Sequence, residues 1–599
     1  MAGVPILPGM LKSKANSDGT TTTIVSYEYD DLYNLKKKDF PSGTDPEFET
    51  DANGRTTKMK DASGEKRYTY DDADRLTKVE QGPVGFTVGT DQNYVLEYAW
   101  NAASQRTQAK LTVRTQSAKQ WDSTFHDDGE LNLLTNPDGD ETKHEYLTDG
   151  RLKKITLLFQ TASNKSTREY FHQDTNDSHA YVSGENRRLR KTLDKKQAGT
   201  TICSFEYELD AAGNRLSMKD KDGKYWAYAY DPTRQLVAET EWSAKAPGTR
   251  EYQNAYLYDP NGNRLAAFGD GVKTAYTYGD NDEMTAAGSD AFTYDQFGNT
   301  KTKVSGGSTT TYNWDHESHL TGIDYPNTSN DDSHEYDANG LRMRSKLDGA
   351  ADWTNFVHDE LTGELLAEYT LVSGTFTIKS VNTYGIGLIS TNREGTRRYF
   401  HFDGLGSTWA LTDASENVTD EYSYKAFGVL DAESSTNGPS LNPFRYVGQW
   451  GYYDDGARGS VAGLFLTNCS YYVGPLGRHL TLANRSLRNL SNATPMPSID
   501  PIYGYHCGPQ SKAGPPYSVD ALDECCRLHD QCFERFGCNV FNQFFKDDCR
   551  ECNAELCACA KGVDCSLNPW RKDLCPTIRS IVIGYACAVS QEVTHGSYR

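Results

Sequence analysis

The chain has 599 residues, 83 Asp and Glu against 62 Lys and Arg, a net charge of −21, and 14 cysteines, 12 of which fall between Cys507 and Cys587. Only −2 of that charge lies beyond Asp500, so −19 sits on the first 500 residues, a field that repels phosphate backbones and sets nucleic acid aside as a partner. The length excludes a single small domain, and no stretch approaches 18 consecutive apolar residues, the minimum for a spanning helix.

From the first residues, Met1-Ala-Gly-Val-Pro-Ile-Leu-Pro-Gly9 is too short and too proline-broken to be the apolar core of a signal peptide. A recurring Tyr-x-Tyr-Asp then runs through the chain, in copies such as Tyr27 to Asp30, Tyr68 to Asp71, Tyr228 to Asp231, Tyr256 to Asp259, Phe292 to Asp295, Tyr312 to Asp315, His334 to Asp337 and Phe356 to Asp359. The second aromatic position recurs at 230, 258, 278, 294, 314, 336 and 358, a period near 20 that predicts one hairpin per repeat. Alternation places both aromatics on one strand face. The next residues, Asp-x-x-Gly-Asn-Arg, as in Asp210 to Arg215 and Asp259 to Arg264, tolerate positive φ in a tight turn. Tyrosines at period two are sheet-face packing before they are ligands, so these residues are assigned a building role.

This array resembles the YD-repeat (Rhs) family, whose repeats coil as one long β-sheet. Tyr399 to Ser407, Leu411-Thr-Asp413, Tyr422 to Gly428, Asn442 to Tyr446 with Gly448-Gln449, Tyr471-Tyr472 and Gly477-Arg478 are similar, in order, to that family's core-closing segment. The resemblance implies a mainly β spiral sheet, a cocoon-like shell over residues 1–485 with its closing segment at 398–480, carrying the C-terminal residues as cargo. Such cores end in an Asp-Pro-x-Gly-Leu-like motif at which self-cleavage occurs; Gly477-Arg-His-Leu-Thr-Leu-Ala-Asn-Arg485 stands in its place, which removes the basis for expecting that cleavage. Residues 486–502, rich in Ser, Asn and Pro, read as a linker.

Residues 503–599 have another chemistry. Twelve cysteines, an even number, imply a small disulfide framework and an oxidising destination, secreted or delivered into a target cell by a route the chain does not display. In Asp523-Glu-Cys-Cys-Arg-Leu-His-Asp-Gln-Cys532, helical spacing puts Cys525, His529 and Cys532 on one face with Cys526 and Asp530 beside them. Cys549, Cys552 and Cys559 form a second stripe. Pairing Cys525 with Cys559 and Cys532 with Cys552 suits two antiparallel helices in constant register, although spacing alone leaves the connectivity open. Upstream, Tyr503-Gly-Tyr-His-Cys-Gly-Pro509 is a loop able to turn several carbonyls to one point, which together with a carboxylate suits Ca²⁺. Zn²⁺ is the rival reading of a Cys/His cluster, disfavoured because zinc sites use isolated ligand quartets.

The loop and the Cys-Cys-x-x-His-Asp-x-Cys run are similar to those of the secreted phospholipase A2 family. The resemblance implies a small α-helical domain in which His529 is the general base for water attack on the sn-2 ester of a membrane phospholipid. Asp530 with the carbonyls of His506, Gly508 and Gln510 would hold Ca²⁺, and Cys507 would pair with Cys526. Phe533 and Asn553 stand where animal members carry a tyrosine and an aspartate, and Gln510 replaces a loop glycine. Asn553 still accepts a hydrogen bond from the imidazole without the charge of a carboxylate, which predicts slower catalysis. The two resemblances together imply a toxin whose enzyme acts on membrane lipid, with delivery machinery and an immunity protein as partners. The alternatives are a catalytically inactive membrane- or receptor-binding module, and a structural cell-surface repeat protein.

Overall fold

The computed structural model describes residues 11–481 except 18–21, 161–164, 174, 177, 181–186, 246–247, 270, 280, 327–330, 348, 437–440, 458–462 and 468–469. Within these residues the chain is almost wholly extended: 41 strands and three single 3-10 turns. The predicted helical domain at 503–599 and the linker at 486–502 lie outside the described residues.

The described chain divides into two units. One holds residues 11–170, 192–203 and 290–481; the other holds 171–191 and 204–289. The second unit is an antiparallel meander in which Arg215–Asp220, Tyr225–Tyr230, Leu236–Trp242, Arg250–Tyr258, Arg264–Gly269, Val272–Tyr278 and Met284–Ala287 each pair with the next. The first unit contains two such runs, 13–170 and 290–435, and ends in a small four-stranded sheet of Tyr453–Asp454, Leu464–Leu466, Tyr471–Val473 and Arg478–His479.

The hairpin expected from the repeat is present, with a richer turn than a two-residue loop. In Asp259 to Asn263 the Asp259 N–H donates to the Asn263 carbonyl (2.8 Å) and the Gly262 N–H to the Asp259 carbonyl (3.0 Å). The Asp259 carboxylate accepts the N–H groups of Asn261 (2.9 Å) and Asn263 (2.8 Å), and the Asn263 side-chain amide donates to its other oxygen (2.9 Å). An aspartate opens the turn because its short carboxylate satisfies backbone donors that the ladder leaves over. The fourth position needs positive φ: Gly262 adopts +85°, and where it is not glycine, as at Asp74, Arg234 and Ser318, the backbone still takes +61°, +74° and +69°. The register slips beside the turn that follows the aromatic pair, for example between Leu257 and Tyr258 and between Glu335 and Tyr336, a bulge that strengthens local twist.

The two aromatics of each repeat share a face but do different work. The first is core: Tyr256, Tyr276, Phe292, Tyr312, His334 and Phe356 are all buried. The second sends its polar tip back one hairpin, to the carbonyl just after the preceding turn. Tyr230 donates to Arg215 (3.1 Å), Tyr258 to Leu236 (2.9 Å), Tyr278 to Arg264 (2.8 Å), Trp314 to Thr300 (2.7 Å) and Tyr336 to Leu320 (2.9 Å). His358 Nε2 reaches the Arg342 carbonyl in the same way (2.9 Å). The slot therefore accepts Tyr, Trp or His, the rings that carry an N–H or O–H. Arginines after the turns lie over the first aromatic, as Arg264 does over Tyr256 (4.9 Å) and Arg215 over Tyr207 (4.4 Å).

In the first unit the two runs share one core: Val79, Leu96, Leu111, Val113, Trp121 and Leu134 pack with Met343, Val357, Ala367, Tyr369, Phe376, Val381 and Ile389. Turn residues of one run reach strands of the other. Lys66 Nζ pairs with Asp337 (2.7 Å) and Glu360 (2.5 Å), all fully enclosed, the Ala338 N–H donates to Asp61 (2.8 Å), and the Tyr98 hydroxyl donates to Asp359 (3.1 Å). A buried pair of this kind stabilises little relative to apolar packing, but losing one partner strands a charge.

Replacing Tyr336 by Phe removes one staple and leaves the Leu320 carbonyl without its donor. Thermal or denaturant unfolding should show a loss of about 1 kcal/mol, because a deleted hydrogen bond to a buried acceptor costs roughly 0.5–1.5 kcal/mol. Phe292→Leu, at a slot that only packs, should leave the turn hydrogen bonds intact and act through volume alone.

Candidate functional site

Two places among the described residues concentrate buried chemistry. The first is where the closing segment meets the repeats. The strands Thr396–Phe402, Thr408–Thr412, Val418–Tyr424 and Leu430–Ser435 continue the ladder, and then the chain leaves it through Asn442 to Trp450. Asn442 organises that departure, its side chain bonding the backbone of Phe444 in both directions (3.0 and 2.9 Å). Thr408 Oγ1 donates to the Phe444 carbonyl (2.6 Å). Phe400, Phe402, Tyr422, Tyr424, Phe444 and Tyr453 form the apolar cluster that results. All of these but Tyr453 are residues of the closing motifs noted in the sequence.

The small terminal sheet docks on the repeats through one buried polar centre. Arg342 gives its guanidinium to Asp455 (2.5 Å) and to the Tyr471 hydroxyl (2.8 Å), with Phe356 and Tyr453 against its face at 4.7 and 5.1 Å. His334 lies beside Tyr471, ring centroids 5.8 Å apart; burial, then the Arg342 charge, pushes its imidazole down to about 3. The last described residues are pinned to a different strand. The Thr300 N–H and hydroxyl both donate to the Leu480 carbonyl (2.8 Å each), and Asn299 pairs with Thr481.

The second place is a small cavity of about 30 Å³ between the Leu152–Leu158, Lys165–His172 and Thr396–Phe402 strands. Ile155, Leu157, Leu388 and Phe400 supply its apolar wall and Arg168, Asp194 and His401 its polar one. Asp194 ends the strand Leu189–Lys195, Cys203 opens Thr201–Leu209 after a turn closed by Lys196 N–H to Thr200 carbonyl (2.9 Å), and His401 comes from the closing segment. Cys203 Sγ donates to Asp194 Oδ2 (3.0 Å), His401 Nδ1 lies 3.4 Å from the same oxygen, and His401 Nε2 bonds Thr412 Oγ1 (3.0 Å). Arg168 approaches at 3.6 Å. Burial raises the Asp194 carboxyl, but the Arg168 charge and the contacts with His401 and Cys203 outweigh it and hold the group below the usual carboxylate range.

Every residue that the sequence assigns to a lipid-cleaving site lies outside the described residues: His529, Asn553, Asp530, His506, Gly508, Gln510 and the cysteines Cys507, Cys525, Cys526, Cys532, Cys552 and Cys559. Conversely, no motif or spacing in the sequence points to the grouping of Asp194, Cys203 and His401. Its one trace there is that Cys203 is one of two cysteines before Cys507.

Among known families, residues 51–87 match the RHS Repeat and residues 214–507 the Teneurin YD-shell. The tRNA3(Ser)-specific nuclease WapA of Bacillus spizizenii is 24% identical over 358 residues, covering 54% of this chain and 14% of that protein. The human group IID secretory phospholipase A2 is 30% identical over 105 residues, 15% of this chain and 70% of that protein. Among solved structures, the TcdB2-TccC3-Cdc42 complex aligns with 79% of this chain and 30% of its own, at a TM-score of 0.46 and 15% identity. The chain thus spans a small part of the longer proteins it matches. No helix among the described residues is long and apolar enough to cross a membrane.

Acid should weaken the shell. His144 is fully enclosed, with Gly385 against its ring, and burial lowers its imidazole to about 4. A histidine with a folded value below its unfolded 6.5 contributes full stability above pH 6.5 and loses it as the pH falls toward about 4. At about 1.4 kcal/mol per pH unit this is roughly 3 kcal/mol for His144, and His334, lowered to about 3, loses stability over the same window and continues to do so below it. The unfolding midpoint measured from pH 7 to 4 should fall accordingly, and His144→Asn should flatten that dependence.

Proposed function

We propose, for a chain that joins an RHS-repeat and YD-shell array to a segment similar in sequence to the secretory phospholipases A2, that it is a toxin-like carrier whose C-terminal enzyme hydrolyses membrane phospholipid with Ca²⁺. The observation that carries this reading is the run Asp523-Glu-Cys-Cys-Arg-Leu-His-Asp-Gln-Cys532, preceded at the right distance by Tyr503-Gly-Tyr-His-Cys-Gly508. The identity with a secretory phospholipase A2 over 105 residues supports it.

The match to WapA extends over 358 residues, far longer than the 99 residues beyond Asp500, so the part held in common is chiefly the array. A protein named for tRNA cleavage and one with phospholipase motifs then share a shell and differ in their C-terminal cargo. Acidity of the first 500 residues also argues against a polyanionic substrate here.

In this reading His529 draws the proton from a water that attacks the sn-2 ester carbonyl, and an imidazole suits that task because it titrates near neutrality. Asp530 and the carbonyls of His506, Gly508 and Gln510 hold Ca²⁺, a hard cation that takes oxygen donors and polarises the ester carbonyl when bound. Asn553 orients the imidazole. Cys507 with Cys526, Cys525 with Cys559 and Cys532 with Cys552 fix the loop and the two helices. Disulfides and a calcium requirement keep such an enzyme silent in a reducing, low-calcium producer cytosol, and leave a dedicated immunity protein and delivery machinery as its natural partners.

The full chain, assayed on mixed phospholipid vesicles, should release fatty acid with Ca²⁺ and none with a chelator. His529→Gln should reduce the rate at least ~100-fold, the usual scale for losing a general base, while vesicle binding persists. Cleavage within 486–502 before the assay separates a caged enzyme, active only after the cut, from an open one. Vesicle binding with no fatty-acid release in any state, disulfides intact, would replace the enzyme by an inactive binding module.

A further inference from the structure

Cys203, Asp194 and His401 converge although 207 positions separate the outer two, and their ligand atoms all lie within 4.8 Å of one another. All three are enclosed, Asp194 to 1% exposure, His401 to 3% and Cys203 to 6%. Asp194 Oδ1 is buried with no hydrogen-bond partner among the described residues, beside a cavity with room for a water or two. Oδ2 faces the thiol and the imidazole, and an ion held through Oδ2 leaves Oδ1 to bond the water of the adjoining cavity. We propose that Asp194, Cys203 and His401 form a Zn²⁺ site that clamps the 192–203 hairpin tip to the closing segment.

The geometry suits the ion. At about 2.0 Å from Zn²⁺, nitrogen and oxygen ligands of a tetrahedron stand roughly 3.3 Å apart, and sulfur at about 2.3 Å stands roughly 3.5 Å from oxygen. His401 Nδ1 and Asp194 Oδ2 are already 3.4 Å apart, and Cys203 Sγ and Asp194 Oδ2, at 3.0 Å, need to open by about half an ångström on loading. His401 Nε2 bonds Thr412 Oγ1, the second contact expected of a ligating histidine, and in the tautomer that donates there Nδ1 carries the lone pair. Arg168 beside Asp194 plays the corresponding part for the carboxylate. One thiolate, one imidazole and one carboxylate select a borderline-soft ion over Ca²⁺ or Mg²⁺, and the cavity supplies the fourth ligand as water. Loading forms the Zn–S bond as the Cys203 thiol proton leaves to solvent.

The clustered C-terminal cysteines make an absolute zinc count ambiguous, so the test is a difference. The full chain, purified with disulfides intact, is weighed for metals by inductively coupled plasma mass spectrometry beside Cys203→Ser and His401→Gln. Wild type should hold one equivalent of zinc more than either variant. Should the variants fail to fold, Cys203 itself reports in the wild type: its peptide should resist alkylation in the native protein and become labelled about tenfold faster after a strong chelator. Replacing zinc with Co²⁺ should give a thiolate-to-cobalt band in the near ultraviolet that Cys203→Ser lacks. Equal zinc in wild type and both folded variants, or alkylation of Cys203 indifferent to chelator, overturns the site; an equivalent of a different metal there overturns the choice of zinc.

Discussion

One hydrogen bond, repeated, holds the architecture together: the polar tip of the second aromatic in each repeat bonds the carbonyl just past the preceding turn, from Tyr70 to Thr56 (2.9 Å) and Trp100 to Leu76 (2.8 Å) through to Tyr336 to Leu320 (2.9 Å). Hairpins joined only by their ladders slide in register, because a slip costs little where both faces are half-polar. A ring that packs against its own strand and donates to the previous hairpin fixes both the spacing and the register of neighbours. Each bond contributes only about 1 kcal/mol, but a repeat array sums such neighbour terms along its length. The same constraint explains why the slot takes Tyr, Trp or His in these repeats, while the first aromatic, which does not make this bond, can be Phe.

That ordering is local, and the first unit needs more. Its two runs are brought together by turn carboxylates reaching across to strands, as Asp337 and Glu360 do to Lys66 and Asp359 does to Arg106 and Tyr98. The turns carry aspartate because the carboxylate caps the turn backbone, and the second carboxylate oxygen is then free to meet a cation from elsewhere. A single residue type thus closes a hairpin and joins distant segments. Enclosure also ties stability to pH, since the buried histidines His144 and His334 must stay neutral.

The hairpin period, the face shared by the two aromatics and the turn at Asp-x-x-Gly-Asn are legible in the sequence because each depends on neighbours within about twenty residues. Tyr256, Tyr258 and Asp259 show this in adjacent positions. Lys66 with Asp337, and Cys203 with His401, are not legible, because their partners lie hundreds of residues away and neither the periodicity nor the spacing of either segment refers to the other. The division of labour between the two aromatics is also hidden: alternation tells that Tyr256 and Tyr258 share a face, not that the Tyr256 hydroxyl donates to the Glu239 carboxylate and the Tyr258 hydroxyl to the Leu236 carbonyl. The residues proposed for lipid cleavage stand in the opposite position. His529, Asp530 and the loop at 503–509 carry their resemblance in the sequence alone, since a cysteine-rich motif compresses its pattern into a few adjacent residues.

The closing segment is where these two kinds of information meet. Its aromatic cluster, the Arg342, Asp455 and Tyr471 centre and the attachment of Leu480 and Thr481 to Thr300 and Asn299 fix the last described residues on the array instead of leaving them at a loose edge. The chain beyond Thr481 therefore departs from a defined point, held by contacts that draw on residues from 299 to 481. A polar centre that is buried, charged and shared between segments is costly to form piecemeal, because each partner alone is an unpaired charge in a low-dielectric site. It forms only when the repeats beneath it are already in register. Completion of the closing segment is for that reason coupled to completion of the array.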